Sequence, residues 1–293
     1  MLYFVGLGLF DIKDISIKGL DTLKKVDKVY AEFFTSKLFG SSIEAIEELI
    51  AKKIIILNRQ EVEEDNLFFN DADKLNVALI TGGDPLIATT HTDFLVEAKN
   101  KGIDYEVIHG SSILSAAPGL SGLQAYKFGK VTTIPFPDEN FFPKSPYLNI
   151  ISNLKNNAHT LVLLDIQAHK NRYMTINQGL KYLMKISEDL NNGLDKNLNK
   201  DLNDDLNNGL DEFNQINSKS NDGTILNGES LAIGIARAGS PDVLIKAGKI
   251  KDLIDFDFGG PLHCLVIPSK LHIVEGEYLV SIAGANKDIL DDL

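Results

Sequence analysis

The sequence predicts an α/β protein made of two α/β domains. Three observations carry this expectation. Short apolar runs alternate with capped, amphipathic segments through the first 110 residues, at a spacing that favours a parallel sheet covered by helices. Pro118 and Gly119 break the pattern, and a second round of strand and helix signals follows them. With 293 residues the chain can bury two cores or one large one. The interruption favours two domains, over about 1–115 and 120–285.

In the first domain "LYFVGL" reads as a strand. Ser16 caps a helix over "IKGLDTLKKV", with Ile17, Leu20 and Leu23 on one face. "KVYAEFF" is a second strand, and Ser41 with Glu44 reads as a capping box before "IEAIEELI". "KIIIL", "VALIT" and "DYEVIH" are further strands, with a helix in "HTDFLVEAKNKG" stopped by Gly102. "SSILSAAPGLSG" reads as a helical turn that runs into a linker.

In the second domain "KVTTI" and "HTLVLLDI" are strands, separated by a proline-rich loop and the helix "SPYLNIISNLKNN". Thr175 and Gln178 cap "INQGLKYLMKI". "SLAIGIAR", "DVLIKAG" and "HCLVIP" are strands, and "LHIVEGEYLVSIAG" holds a last helix. The segment 191–228 stands apart. It repeats "LNNGLD", is rich in Asn and Asp, and reads as a disordered or weakly helical insertion that is not the active site.

Composition limits the function. A formal charge of −12 argues against a general nucleic-acid binder, which needs a basic surface to displace counterions. A single cysteine, Cys264, leaves no intramolecular disulfide and no multi-cysteine metal site, and it reads as a buried small hydrophobe. The amino terminus lacks the basic flank and cleavage site of a signal peptide, and no apolar run reaches the roughly 20 residues of a membrane span. The cytoplasm is the expected location.

Two glycine-bearing stretches carry the chemistry. "GLGLFD" places Gly6 and Gly8 at the end of the first strand. A dinucleotide fingerprint wants a third glycine where Asp11 stands, and a carboxylate there repels a pyrophosphate. "TGGDPLIATTH" closes the fourth strand, at the end where open α/β sheets bind ligands. It lacks the lysine and hydroxyl residue of a triphosphate loop. Residue chemistry alone leaves open whether Asp84 and its glycines form a ligand wall or only a turn.

The motifs taken together resemble the diphthine synthase family. "YFVGLGLFD", "ISIKGL", "VYAEFFTS", "GDPLIATTH", "VIHGSSILSA" and "YKFGK" occur in the family's order. "LLDIQAHKNRYMT", "ARAGSPD", "FGGPLHCLVIPSKLHIVEGEYL" and "IAGA" follow, so the likeness spans nearly the whole chain outside the insertion. "GDP" belongs to the wider tetrapyrrole-methylase-like class (class III methyltransferases), whereas "YKFGK" and "KLHIVEGEYL" point to the diphthine branch.

The resemblance implies two α/β domains with S-adenosyl-L-methionine in the cleft between them, and a homodimer. It implies repeated N-methylation of a 3-amino-3-carboxypropyl-modified histidine of translation elongation factor 2. Cofactor contacts carried over by resemblance are Leu9, Asp84, Ile87, Ser112 and Ile113 from the first domain. Leu164, Ala236 and His263 follow from the second. No catalytic side chain and no metal are implied, because the sulfonium is already an activated methyl donor and the step needs mainly alignment.

Among the histidines, His91, His109, His159, His169 and His272 read as structural by default, whereas His263 falls at a family cofactor position. Asp165 and Arg237 are candidates for the cleft or for structural ion pairs. Two other readings compete. One is a methyltransferase of the same fold acting on a tetrapyrrole or ribosomal RNA; the other is a non-catalytic cofactor-binding protein. "KLHIVEGEYL" disfavours the first, and the intact "GDP" and "GGPLH" stretches disfavour the second.

Overall fold

The computed structural model describes residues 1–34, 37–65, 67–139, 141–191 and 226–291. Most of the expected insertion, 192–225, lies outside the described residues. The chain divides into two compact units. The first comprises Met1–Ala116, Ile166–Tyr173 and Arg237–Val243, and the second the other described residues.

The first unit begins with β1 (Leu2–Gly6), α1 (Ile17–Lys25), β2 (Lys28–Glu32), α2 (Ile43–Ile50) and β3 (Ile54–Leu57). It continues with α3 (Arg59–Glu63), α4 (Phe69–Ala72), β4 (Val77–Thr81), α5 (Thr92–Asn100) and β5 (Tyr105–Ile108). The five strands are parallel, in the order β3-β2-β4-β1-β5. Every residue of β4 is buried, because both faces of the sheet are covered. Val5, Leu23, Val29, Ile46, Ile50 and Ile80 fill one layer. Phe4, Phe68, Phe69, Leu79 and Phe94 fill the other, where Phe68 meets Phe94 edge to face at 5.2 Å.

Helix starts are set by the caps. Ser16 accepts the Gly19 amide at 3.0 Å, as its sequence position predicts. Ile17 is exposed, however, so the buried face of α1 runs through Gly19 and Leu23 instead. The α2 cap is Ser42, which accepts the Ala45 amide at 3.2 Å. Ser41 is not the cap; its hydroxyl accepts the Ile12 amide from the first loop at 3.0 Å. Ser42→Ala is therefore expected to cost about 1 kcal/mol in a urea titration, the usual loss of an N-cap oxygen. An unchanged midpoint would show that α2 is held by packing alone.

α6 (Ile113–Ser121) does not stop at Pro118 as the sequence suggests. The proline forfeits one helical amide, but it is buried, and the Ser121 hydroxyl bonds its carbonyl at 2.9 Å. Gly122, at a φ of +69°, ends the helix instead.

The second unit holds β6 (Thr132–Ile134), α7 (Ser145–Lys155), β7 (Thr160–Leu164), and, after the short β8 (Ile166–Gln167) and β9 (Arg172–Tyr173) of the first unit, α8 (Ile176–Asn191). Then come β10 (Leu231–Ala236), β11 (Leu244–Lys249), α9 (Ile250–Leu253), β12 (His263–Ile267) and α10 (Ile273–Ser281). Its sheet is mixed, in the order β11-β10-β12-β7-β6, with only β6 and β7 parallel. Thr175 and Gln178 exchange capping bonds at 3.0 and 3.2 Å at the start of α8, as predicted. Ile176, Leu180, Leu183, Ile186 and Leu190 then form its buried stripe.

At the carboxyl edge of the expected insertion, Leu226 is buried in this core. Its carbonyl accepts the Ser187 hydroxyl at 2.7 Å. Cys264 lies buried in β12, and burial pushes its thiol up to about 12, so it serves as the small hydrophobe its context suggests.

Candidate functional site

In the first unit the loops after β1, β4 and β5 meet at the carboxyl end of the sheet. Of the neighbours β2 and β4, β2 leads on to β3 on one side and β4 to β5 on the other. This reversal of direction marks the crevice where open α/β sheets take ligands. Gly8 and Gly83 bond each other's backbone in both directions, at 3.2 and 2.7 Å. The glycines answer a steric demand that comes from the protein itself. A Cβ on Gly6 would lie 2.5 Å from the Gly83 carbonyl oxygen, and one on Gly110 would lie 2.4 Å from the same atom. Three backbones are thus packed together with no room for a side chain.

Asp84 ties these loops. Its side chain is buried. Oδ1 accepts the Leu86 amide at 3.0 Å, while Oδ2 meets His109 Nδ1 at 2.8 Å and accepts the Gly110 amide at 3.3 Å. The carboxylate thus joins the "GDPLI" turn to the β5–α6 connection. Ile87 projects from that turn and is exposed. On the connection, Ser112 Oγ accepts the Leu114 amide at 3.2 Å, and its carbonyl accepts the Ala116 amide at 2.9 Å, so Ser112 opens α6. Ile113 beside it is half-buried.

Leu9, also half-buried, lies against the "ARAGSPD" loop, where a Cβ on Gly239 would come within 2.9 Å of its Cβ. Asp11 caps the turn Ile12–Asp14 by accepting the Lys13 amide at 2.7 Å, which gives it a structural role in place of the missing glycine. Arg237 pairs locally with Asp242 at 2.8 Å.

Beneath the "GDP" turn is a buried polar layer that sequence reasoning missed. The Thr81 hydroxyl donates to the fully buried Glu32 at 2.9 Å. His91 Nδ1 donates to the Pro85 carbonyl at 2.9 Å and its ring stacks on Phe94. Burial lowers the His91 imidazole below its ordinary range against the pull of Glu32, which keeps the ring neutral. The sequence signals were an acid, Glu32, closing β2 and a histidine, His91, directly before α5.

In the second unit the strand register gathers the three expected residues at one end of the sheet. Ala236 pairs with His263 across β10 and β12, and Leu163, next to Leu164, pairs with Cys264 across β12 and β7. The side chains of Leu164 and Ala236 are buried in the core. His263 is fixed as one tautomer: Nδ1 accepts the Ile176 amide at 3.3 Å, and Nε2 donates to the Gly260 carbonyl at 2.9 Å. Asp165, one residue beyond β7, accepts the Phe136 amide at 2.9 Å.

A second polar cluster in this unit involves "YKFGK" and "KLHIVEGEYL". Buried Glu275 accepts the Gln124 amide at 2.9 Å, the His272 amide at 2.6 Å and the Lys127 ammonium at 2.7 Å. His159 Nδ1 accepts the Ser269 amide, so its Nε2–H is the group that faces Glu275 Oε1 at 3.2 Å.

This architecture has known counterparts. The family model for tetrapyrrole (corrin/porphyrin) methylases matches residues 1–196, more than half of the chain, and sets its class. A diphthine synthase of Methanothermobacter thermautotrophicus is 51% identical, over 99% of this chain and 98% of its own. That of Methanosphaera stadtmanae is 48% identical, over 100% and 99%. A crystal structure of diphthine synthase aligns with a TM-score of 0.80 at 35% identity, covering 100% of this chain and 99% of the other. The chain belongs to the diphthine synthase family. No helix among the described residues is long and apolar enough to cross a membrane.

Proposed function

We infer that this protein is an S-adenosyl-L-methionine-dependent methyltransferase of diphthamide biosynthesis. Its substrate is the 3-amino-3-carboxypropyl-modified histidine of translation elongation factor 2, whose amino group it methylates repeatedly. The reading is carried by full-length similarity to diphthine synthases at about half of all positions. When bound, the cofactor supplies a methyl group activated on a sulfonium.

The residues of the first unit suit such a ligand. Leu9, Ile87 and Ile113 offer apolar surface on loops that their glycines let pack closely together, Asp84 holds two of these loops in register, and Ser112 opens a helix beside them. In the second unit, Leu164 and Ala236 contribute backbone, and His263 contributes a ring of fixed orientation. The active form is a cytoplasmic homodimer in this reading.

The nucleophile is the neutral amine, so methylation ends when the nitrogen is quaternary and has no lone pair. Three methyl groups are therefore expected. Incubation with labelled cofactor and elongation factor 2 bearing the aminocarboxypropyl-histidine, followed by mass spectrometry of the modified peptide, tests this. A mass gain of three methyl groups is the expected result. A fourth would mean ester formation in addition, and no gain would overturn the reading.

A further inference from the structure

His109 is the first residue after β5, and its surroundings differ from those of a structural histidine. Its side chain is 71% exposed, yet Nδ1 is held at 2.8 Å by a carboxylate whose own side chain is only 6% exposed. Asp84 accepts two backbone amides besides, so it cannot swing away to follow the ring. With the carboxylate as acceptor, the proton sits on Nδ1. Nε2 is left with a lone pair and has no hydrogen-bond partner among the described residues, on a side chain that is mostly exposed. A buried carboxylate that fixes the tautomer of an exposed imidazole is the arrangement by which proteins prepare a general base. It lies between the "GDPLI" turn and Ser112–Ile113, the first-unit segments to which cofactor contact is assigned above. Structural histidines in this chain look different: His91 and His159 are buried.

We propose that His109, oriented by Asp84, is the base that takes the proton from the ammonium form of the substrate before each methyl transfer, freeing the lone pair of the amine. The inference rests on the methyltransferase reading above. The N–H bond of the protonated amine (ammonium) breaks and its proton passes to His109 Nε2, which leaves the neutral amine. The electron pair left on nitrogen then forms the N–CH₃ bond while the methyl–sulfur bond breaks, and its electrons remain on sulfur as a neutral thioether. Solvent removes the proton from the ring before the next round. The third transfer leaves no N–H, so the base has no further task.

His109→Asn separates orientation from proton transfer, because an amide nitrogen can keep the bond to Asp84 but cannot accept a proton. Cofactor affinity by calorimetry should match the parent's. Single-turnover methylation of modified elongation factor 2 should fall about 100-fold or more, the lower range for a positioned base. In His109→Ala, added imidazole should restore part of the rate. Independently of turnover, nitrogen chemical shifts of the His109 ring in the free protein should report the Nδ1–H tautomer, assigned by the signals missing in His109→Asn.

A parental rate in His109→Asn, weakened cofactor binding with no imidazole rescue, or an Nε2–H tautomer would each overturn the assignment. A parent protein that adds no methyl groups would instead sink the functional reading, and this inference with it.

Discussion

Replacing Glu275 by alanine is expected to destabilise the protein by about 3–5 kcal/mol, the range for removing one partner of a buried ion pair. The magnitude follows from what the carboxylate holds. Its side chain is 1% exposed, and it is the shared acceptor for Lys127, for two backbone amides and for the His159 ring. Without it the Lys127 ammonium keeps the Lys270 carbonyl as its one partner among the described residues, and the Gln124 and His272 amides lose their acceptor. α10 also loses its capping box, in which His272 and Glu275 bond reciprocally. Urea unfolding at neutral pH measures the effect. A loss under about 1 kcal/mol would place the cluster with exposed salt bridges.

The same residue sets a pH dependence. Burial opposes ionisation of Glu275, but the Gln124 and His272 amides, Lys127 and His159 outweigh it and hold the carboxyl at about 2. Its folded value is thus depressed below the ordinary 4.5. The unfolded chain binds this proton first, so the stabilisation is complete above 4.5 and is lost as pH falls toward about 2. His159 is held neutral by burial, so its share begins to fall once the pH drops below the ordinary imidazole value of 6.5. Glu275→Ala should flatten the steep acid limb between pH 4.5 and 2.

This cluster shows where the sequence could be read and where it could not. Strands such as "VALIT" and the alternating caps are local signals, and the parallel sheet of the first unit follows from them. The "NRQE" stretch held such a signal too: Asn58 and Glu61 form a capping box that opens α3, although the segment was not read as a helix. β8 and β9 have two residues each and carry no periodicity to detect. The glycines of "GLG" and "TGGDP" announced a close approach, but only the β4-β1-β5 neighbourhood shows that other backbone fills it. "YKFGK" and "KLHIVEGEYL" served as marks of family. Lys127 and Glu275 are 148 residues apart, and no local rule pairs them.

Asp84→Ala is expected to weaken S-adenosyl-L-methionine binding by about 10- to 100-fold, with the urea midpoint close to the parent's. The first figure comes from hydrogen bonds to a charged group, worth about 1.5–3 kcal/mol in net terms, at about 1.4 kcal/mol per factor of ten. The effect falls on binding because Asp84 joins loops, not strands. Leu86 sits on the turn that presents Ile87, and His109 and Gly110 precede Ser112 and Ile113. The strands beneath keep their apolar layers and their ladder, so the global fold does not depend on this carboxylate.

All three partners of Asp84 are donors, which makes Asp84→Asn informative. An amide keeps one acceptor, for Leu86, but turns an NH₂ toward His109 Nδ1–H and the Gly110 amide. Asparagine should therefore lose nearly as much affinity as alanine despite its matching shape. Calorimetry on the two variants distinguishes the causes. If asparagine binds the cofactor as the parent does, the shape of the turn is enough. If alanine does as well, the backbone bonds between Gly8 and Gly83 hold the loops without Asp84.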